Sequence, residues 1–283
     1  MEIGEDLMLG LKQFGATTFL GFSGSLEEFM GLVSQLGLGY LELKCEPGLL
    51  YPREVPRAER VGLREALQAH GIMPTVHASF YDINLASLNP LIREASARQL
   101  LECLQLAHDL GAEIAVVHPG ELPGDYPGEL LPRAREGLIS SLKEALELAE
   151  DLGVTLALEN KARGRNRGVI QSAREHLELV EALDSPRCRI AFDVGHAHTF
   201  GLGLEEYMKK ILPYLVEVHL HDNDGSGDQH RPLGAGTIDF RSLLEALARE
   251  GYRGPLILEM GSVKELRQCR EYLVQRASLR ARG

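Results

Sequence analysis

Along the chain, short runs of apolar and β-branched residues alternate with longer stretches in which apolar positions recur every three or four residues. The short runs are QFGATTFL, GYLELK, IMPTVHA, EIAVVHP, VTLALEN, CRIAFDV, LVEVHLHD and GPLILEM, all of strand length. Between and after them lie amphipathic patterns: SLEEFMGLVSQLG, PRAERVGLREALQAHG, NPLIREASARQLLECLQLAHDLG, ELLPRAREGLISSLKEALELAEDLG, SAREHLELVEALD, LEEYMKKIL, DFRSLLEALAREG and SVKELRQCREYLVQRASLR. Gly37, Gly71, Gly111, Gly153 and Gly251 close helical runs as left-handed C-terminal residues do, and Asp239 opens one as an N-cap. Strand–helix repeats at even spacing, with no Pro/Ser-rich linker, predict one (β/α)8 barrel domain over residues 1–283. A doubly wound open sheet is the alternative, but it is usually shorter and needs a switch-point crevice.

Composition adds limits. Hydrophobic residues at 44% and charged residues at 25% are those of an ordinary globular protein. No apolar run nears a membrane span, and MEIGEDLMLG lacks a basic segment followed by an apolar one, so a cytoplasmic protein is expected. Cys45, Cys103, Cys188 and Cys269 are scattered and read as reduced thiols. A net charge of −11 weighs mildly against a large nucleic-acid footprint, although a local basic groove can exist on an acidic protein. No segment fits a P-loop or dinucleotide fingerprint, so no nucleotide cofactor is expected.

The histidines carry the chemistry. Of the ten, His70, His108 and His176 fall on expected helices. His77, His118, His196, His198, His219, His221 and His230 fall at strand ends or in the loops after them. Glu159, Asp193 and Glu259 end three further strands. One such residue is ordinarily a hydrogen-bonded structural group or a helix cap. Together, at the single mouth where barrel strand ends converge, they would repel and desolvate one another without a cation. Mixed His/Asp/Glu sets suit divalent ions such as zinc or manganese.

The segments TVHASFYDINLAS, VVHPGELP, LALEN, IAFDVGHAH, VHLHDN, GDQHRPLGAG and LILEM, in this order, resemble the xylose isomerase-like barrel superfamily. That superfamily holds sugar isomerases and epimerases and also the DNA-repair enzyme endonuclease IV. The resemblance implies a shared metal site of Glu159, Asp193, His219 and Glu259. It places His77 and His118, with Glu159, at a second metal of endonuclease IV, and His196, Asp228 and His230 at a third. His219 is taken as the strand-seven ligand, leaving His221, two residues on and on the same face, as a substrate contact. His198 reads as an ordinary loop residue.

Two activities follow from the resemblance. An isomerase or epimerase would use Glu159 and Glu259 as the acid/base pair on a sugar or sugar phosphate, through a metal-stabilised enediolate. His196, Arg231, Lys44 and Phe80 would then meet substrate, while Lys44 with Glu42 has a structural ion pair as its other reading. A trinuclear zinc phosphodiesterase would fill all nine ligand positions, with Phe80 and Tyr81 wedged against an abasic nucleotide. Departures weigh against it: Ser79-Phe80 replaces Pro-Tyr, Gly195 precedes His196, His221 precedes Asp222, and Gln229 stands where an arginine would partner phosphate. The isomerase reading therefore leads, with a small-molecule sugar as partner, nucleic acid disfavoured and one to three divalent ions per chain. A barrel that binds a metabolite without turnover is the third class, disfavoured by the intact glutamate pair. Arg163, Arg165 and Arg167 suit a sugar phosphate, DNA or a solvated loop. Gly234 and Gly236 could offer N–H groups to a phosphate, or more simply allow a tight loop. CEPGLLYPREVPR is a candidate lid.

Overall fold

The computed structural model describes the backbone of residues 9–280 and the side chains of residues 9–275. The segment MEIGEDLM, part of the N-terminal reading above, lies outside the described residues. Eight parallel strands form a closed barrel. They are β1 (Phe14–Thr17), β2 (Tyr40–Lys44), β3 (Met73–His77), β4 (Ile114–Val117), β5 (Thr155–Glu159), β6 (Cys188–Asp193), β7 (Leu215–Leu220) and β8 (Leu256–Leu258). Each pairs with its chain neighbours, and β1 with β8 closes the ring. The helices are α1 (Leu26–Gln35), α2 (Arg57–Ala69), α3 (Pro90–Leu110), α4 (Leu131–Leu152), α5 (Ala173–Leu183), α6 (Val194–His198), α7 (Leu204–Ile211), α8 (Phe240–Arg249) and α9 (Val263–Arg280). The expected barrel is thus the observed one.

Local chemistry sets the element ends. All five glycines expected to close helices have positive φ, from 64° at Gly71 to 77° at Gly37 and Gly111. The Asp239 carboxylate accepts the Ser242 N–H, capping α8. Most of the core lies between sheet and helices. A separate cluster of Val116, Ala157 and Ala191 packs apart from it. By strand alternation, Ala157 shares its face with Glu159, Ala191 with Asp193, and Glu217 with His219. The register sets Lys44 beside His77 and Asp193 beside His219, which aligns the rim. His176, buried on α5, holds Leu158 O with Nε2 at 2.8 Å and so ties that helix to the strand that ends in Glu159.

Three features differ from the sequence pattern. β1 stops at Thr17, short of the expected QFGATTFL run. Glu121–Leu122 and Arg167–Gly168 form an antiparallel ribbon over one side of the mouth loops. β6 runs straight into α6, so His196 and His198, expected in a loop, sit on a short helix. The cause is Asp193, whose carboxylate accepts the His196 N–H at 2.6 Å and caps that turn. The CEPGLLYPREVPR segment is pinned to the helices by Tyr51–Gln99 and Arg53–Glu102 contacts and by Arg60 on the Pro52 and Val55 carbonyls. Among the described residues no helix is long and apolar enough to cross a membrane.

A Cβ at Gly39 would lie 2.0 Å from the Lys12 carbonyl oxygen, whereas one at Gly62, on the exposed side of α2, would meet nothing within 4 Å. Gly39→Ala should therefore lose about 1–3 kcal/mol through forced backbone movement, while Gly62→Ala gains about 0.5–1 kcal/mol. Urea midpoints of the two variants check this pair of opposite signs.

Candidate metal centre at the barrel mouth

Period-two alternation turns Glu42, His77, Glu159, Asp193, His219 and Glu259 towards the mouth, and all six are buried. His219 stands at the centre. Its Nδ1 lies 3.1 Å from Glu159 Oε1 and 3.8 Å from Glu259 Oε1, while Nε2 lies 3.1 Å from Glu42 Oε2. Around Glu159, His118 Nε2 comes to 2.7 Å and His77 Nε2 to 3.4 Å of Oε2. Lys44 faces Glu259 at 3.3 Å, so its ion pair is with the end of β8 and not with Glu42.

A second group adjoins the first. His196 Nε2 and His230 Nε2 each lie 3.3 Å from Asp228, and His221 Nε2 lies 3.6 Å from it. His221, read from the sequence as a substrate contact, is fully buried. Its Nε2 lies 3.1 Å from Asp193 Oδ1, and its ring stacks on His230 at 3.9 Å. His230 holds a left-handed backbone (φ 45°), strain of the kind that functional sites retain.

The supports are as specific as the donors. Asn160 donates to the Asp193 carbonyl at 2.8 Å and accepts the Asp193 N–H at 2.9 Å, while its own carbonyl meets His196 Nδ1 at 2.8 Å. His77 Nδ1 meets the Ala78 carbonyl at 2.9 Å. Each of these imidazoles thereby gives its Nδ1–H to the backbone and turns Nε2 towards a carboxylate, Glu159 for His77 and Asp228 for His196. His118 is different. The Lys161 ammonium lies 3.1 Å from its Nδ1, which must then accept, leaving the proton on Nε2. Burial and Lys161 together push His118 down to about 3, so it stays neutral. Burial raises the Glu159 carboxyl, but His118 and His219 outweigh that and hold it well below the usual range. Glu259 is likewise raised by burial and more strongly lowered by Lys44 and His219.

Glu159, Asp193, His219 and Glu259 fit a divalent cation. Asp193, His219 and Glu259 form one set with donor atoms within 4.8 Å of one another, and Glu159 joins Asp193 and His196 in another. Glu159 Oε2, buried, has close nitrogens but no directed hydrogen bond, the arrangement of donors aimed at a common point. His77, His118 and Glu159 form a further set, as do His196, His221, Asp228 and His230.

The sequence matches the xylose isomerase-like TIM barrel family over residues 30–276. The chain belongs to that family. An uncharacterized protein of Methanocaldococcus jannaschii is 32% identical over 92% of this chain and 88% of its own length. A probable endonuclease 4 of Mycoplasmoides gallisepticum is 28% identical over 84% of this chain and 77% of its own. The crystal structure of a D-tagatose 3-epimerase-like protein superposes with a TM-score of 0.84 at 29% identity, covering 94% of this chain and 97% of that one.

Within this family barrel the remaining sequence candidates fall as follows. Phe80 packs against His77 and His118 with ring centroids at 4.9 and 5.1 Å, walling one side of the centre. Glu46 fixes that wall by accepting the Phe80 and Tyr81 N–H groups. Arg231 turns outward to Asp224 at 2.9 Å. His198 meets the Thr237 hydroxyl at 2.9 Å, away from the cluster. Arg163, Arg165 and Arg167 are exposed, and Arg165 pairs with Asp125. Lys161, Asn160 and Glu217 had escaped the sequence reading. Glu217 lies two residues before His219 on β7, and Lys161 two residues after Glu159, just past the end of β5; that spacing was the available signal.

Gly234 and Gly236 do not face a phosphate. Their N–H groups go to Asp222 Oδ2 at 3.0 and 2.8 Å, while Oδ1 accepts from Asn223 and Ile238 at 2.9 and 3.2 Å. This buried carboxylate holds the loop that carries Asp228 and His230. Asp222→Asn would put an amide donor against N–H donors and should cost about 3 kcal/mol. A lowered urea midpoint with new proteolytic cleavage between residues 223 and 238 is the expected result. An unchanged midpoint would show that the loop is held by other contacts.

Proposed function

We propose that this chain is a divalent-metal-dependent isomerase or epimerase of a sugar or sugar phosphate, working by proton transfer between two glutamates. The observation that carries the reading is the opposed pair Glu159 and Glu259. They end strands on different sides of the mouth, approach the same His219 nitrogen, and otherwise have different partners. Behind Glu159 stand His118 and Lys161, and on Glu259 stands Lys44. In this reading one glutamate takes the proton from the carbon beside a substrate carbonyl, and the other returns a proton to the opposite face. Lys44, His196 and the Phe80 wall orient the substrate, and Arg231 joins them if it leaves Asp224. His221 acts through Asp193 and His230. Glu159, Asp193, His219 and Glu259 would hold the cation, which when bound supplies the positive charge that stabilises adjacent substrate oxygens. The likeness to a D-tagatose 3-epimerase-like protein supports the same reading.

The hydrolytic alternative, a trinuclear phosphodiesterase acting on abasic DNA, has one observation in its favour. The donor sets at His77/His118/Glu159 and at His196/His221/Asp228/His230 offer room for two further cations. Lys161 opposes it: an ammonium that occupies the His118 lone pair leaves that imidazole no free nitrogen for a metal at the first of these sets.

The test is a panel of ketoses and ketose phosphates incubated in D2O and followed by proton NMR. Wild-type protein should exchange the proton on the reacting carbon of one substrate. Glu159→Gln and Glu259→Gln should each lower that rate by about 10²–10⁴-fold. Near wild-type exchange in either variant overturns the two-glutamate assignment.

A further inference from the structure

Beneath the candidate cage lies a polar layer that neither the proton-transfer scheme nor the family likeness uses. Glu42 on β2 and Glu217 on β7 are both fully buried and approach the same edge of His219. Glu217 Oε1 lies 3.4 Å from His219 Nε2 in hydrogen-bonding geometry and also accepts the Thr75 hydroxyl at 3.2 Å. Glu42 Oε2 lies 3.1 Å from the same Nε2. Neither Glu42 oxygen nor Glu217 Oε2 makes a directed hydrogen bond, so the 3.1 Å approach of Glu42 to His219 is an ion-pair contact.

Two incompletely partnered carboxylates inside a barrel are expensive, since burying an ionised group uncompensated costs several kcal/mol. Packing alone does not require them. Val116, Ala157 and Ala191 form a buried apolar cluster on three other strands of the same barrel. What the carboxylates share is one imidazole N–H. An imidazole whose Nε2–H is taken by a carboxylate keeps Nδ1 as its lone pair, with the ring orientation fixed. His219 Nδ1 is the atom that faces Glu159 and Glu259.

We propose that Glu42 and Glu217 are positioning residues, which hold the Nε2–H of His219 from two sides of the barrel and reserve Nδ1 for the divalent cation. The inference rests on the cage of the proposed function holding a cation, but not on which sugar is turned over or whether any is. Neither residue has a part in the proton-transfer scheme above. The pair also explains why a strand facing the lumen carries Glu217 two residues before the ligand it supports.

The experiment uses metal-stripped full chain, Mn²⁺ alone as the probe, and the isosteric variants Glu42→Gln and Glu217→Gln. Calorimetric titration should show about 10–100-fold weaker Mn²⁺ binding in each variant, with metal-free melting temperatures equal to or above wild type. Long-range ¹⁵N–¹H correlation of the protein loaded with diamagnetic Mg²⁺ should find His219 protonated at Nε2 alone in wild type, the cation taking the place of the Nδ1 proton that otherwise faces Glu159. The Nδ1–H form should appear in the double variant. Loss of thermal stability with unchanged Mn²⁺ affinity would assign the pair a purely structural role and overturn the proposal. So would a His219 tautomer that stays at Nε2–H in the double variant. Failure of the sugar panel alone leaves these binding and tautomer readouts intact, so the two ideas fail separately.

Discussion

The structure turns on one electrostatic constraint: ionisable side chains buried together at a barrel mouth must neutralise one another. Glu42, Glu159, Asp193, Glu217 and Glu259 all lie in the interior, interleaved with His77, His196, His219 and His221. An isolated buried charge costs several kcal/mol, a large share of a domain's net stability. Every neighbouring feature reduces that cost. Asn160 clamps the Asp193 backbone, Asp193 caps the helix that delivers His196, and Lys44 and Lys161 bring positive charge to Glu259 and His118. In the proposed function, a divalent ion in the Glu159, Asp193, His219 and Glu259 set would complete the balance.

The same constraint makes the two ends of the site unlike. Around His196, imidazole Nδ1 is bound to a backbone carbonyl and Nε2 turns to Asp228 at 3.3 Å. Around His118, a lysine takes the lone pair that a metal would need. One mouth therefore carries many potential ligands but does not treat them alike. In a family that contains both proton-transfer and hydrolytic chemistries, such a difference separates chemistry from fold. Loop anchoring follows the same economy: Asp222 uses one carboxylate to satisfy four backbone N–H groups and hold the segment bearing Asp228 and His230.

Much of this was legible from the residues. Strand alternation with helices between, five closing glycines and the Asp239 cap sufficed for the barrel, because those signals are local and periodic. The strand-end rule then placed His77, Glu159, Asp193, His219 and Glu259 at one mouth. What escaped depends on contacts between segments distant in sequence. Glu217 reads as an exposed strand position until the barrel closes over it, and Lys161 as a loop charge until it meets His118 across 43 residues. His221 looked like a substrate contact because alternation gives a side chain's face but not its depth. The α6 turn was hidden because its cap, Asp193, reads equally as the end of a strand.

The most direct test of the account is the number of divalent ions each chain holds. Protein purified without added metal or chelator, examined by native mass spectrometry together with elemental analysis, should carry one ion per chain, and Asp193→Ala should remove it. About three zinc ions per chain, with the His77/His118/Glu159 set filled, would contradict the single-cation account and favour hydrolysis. No tightly held ion, with none taken up from added manganese, cobalt, magnesium or zinc, would contradict the cage itself.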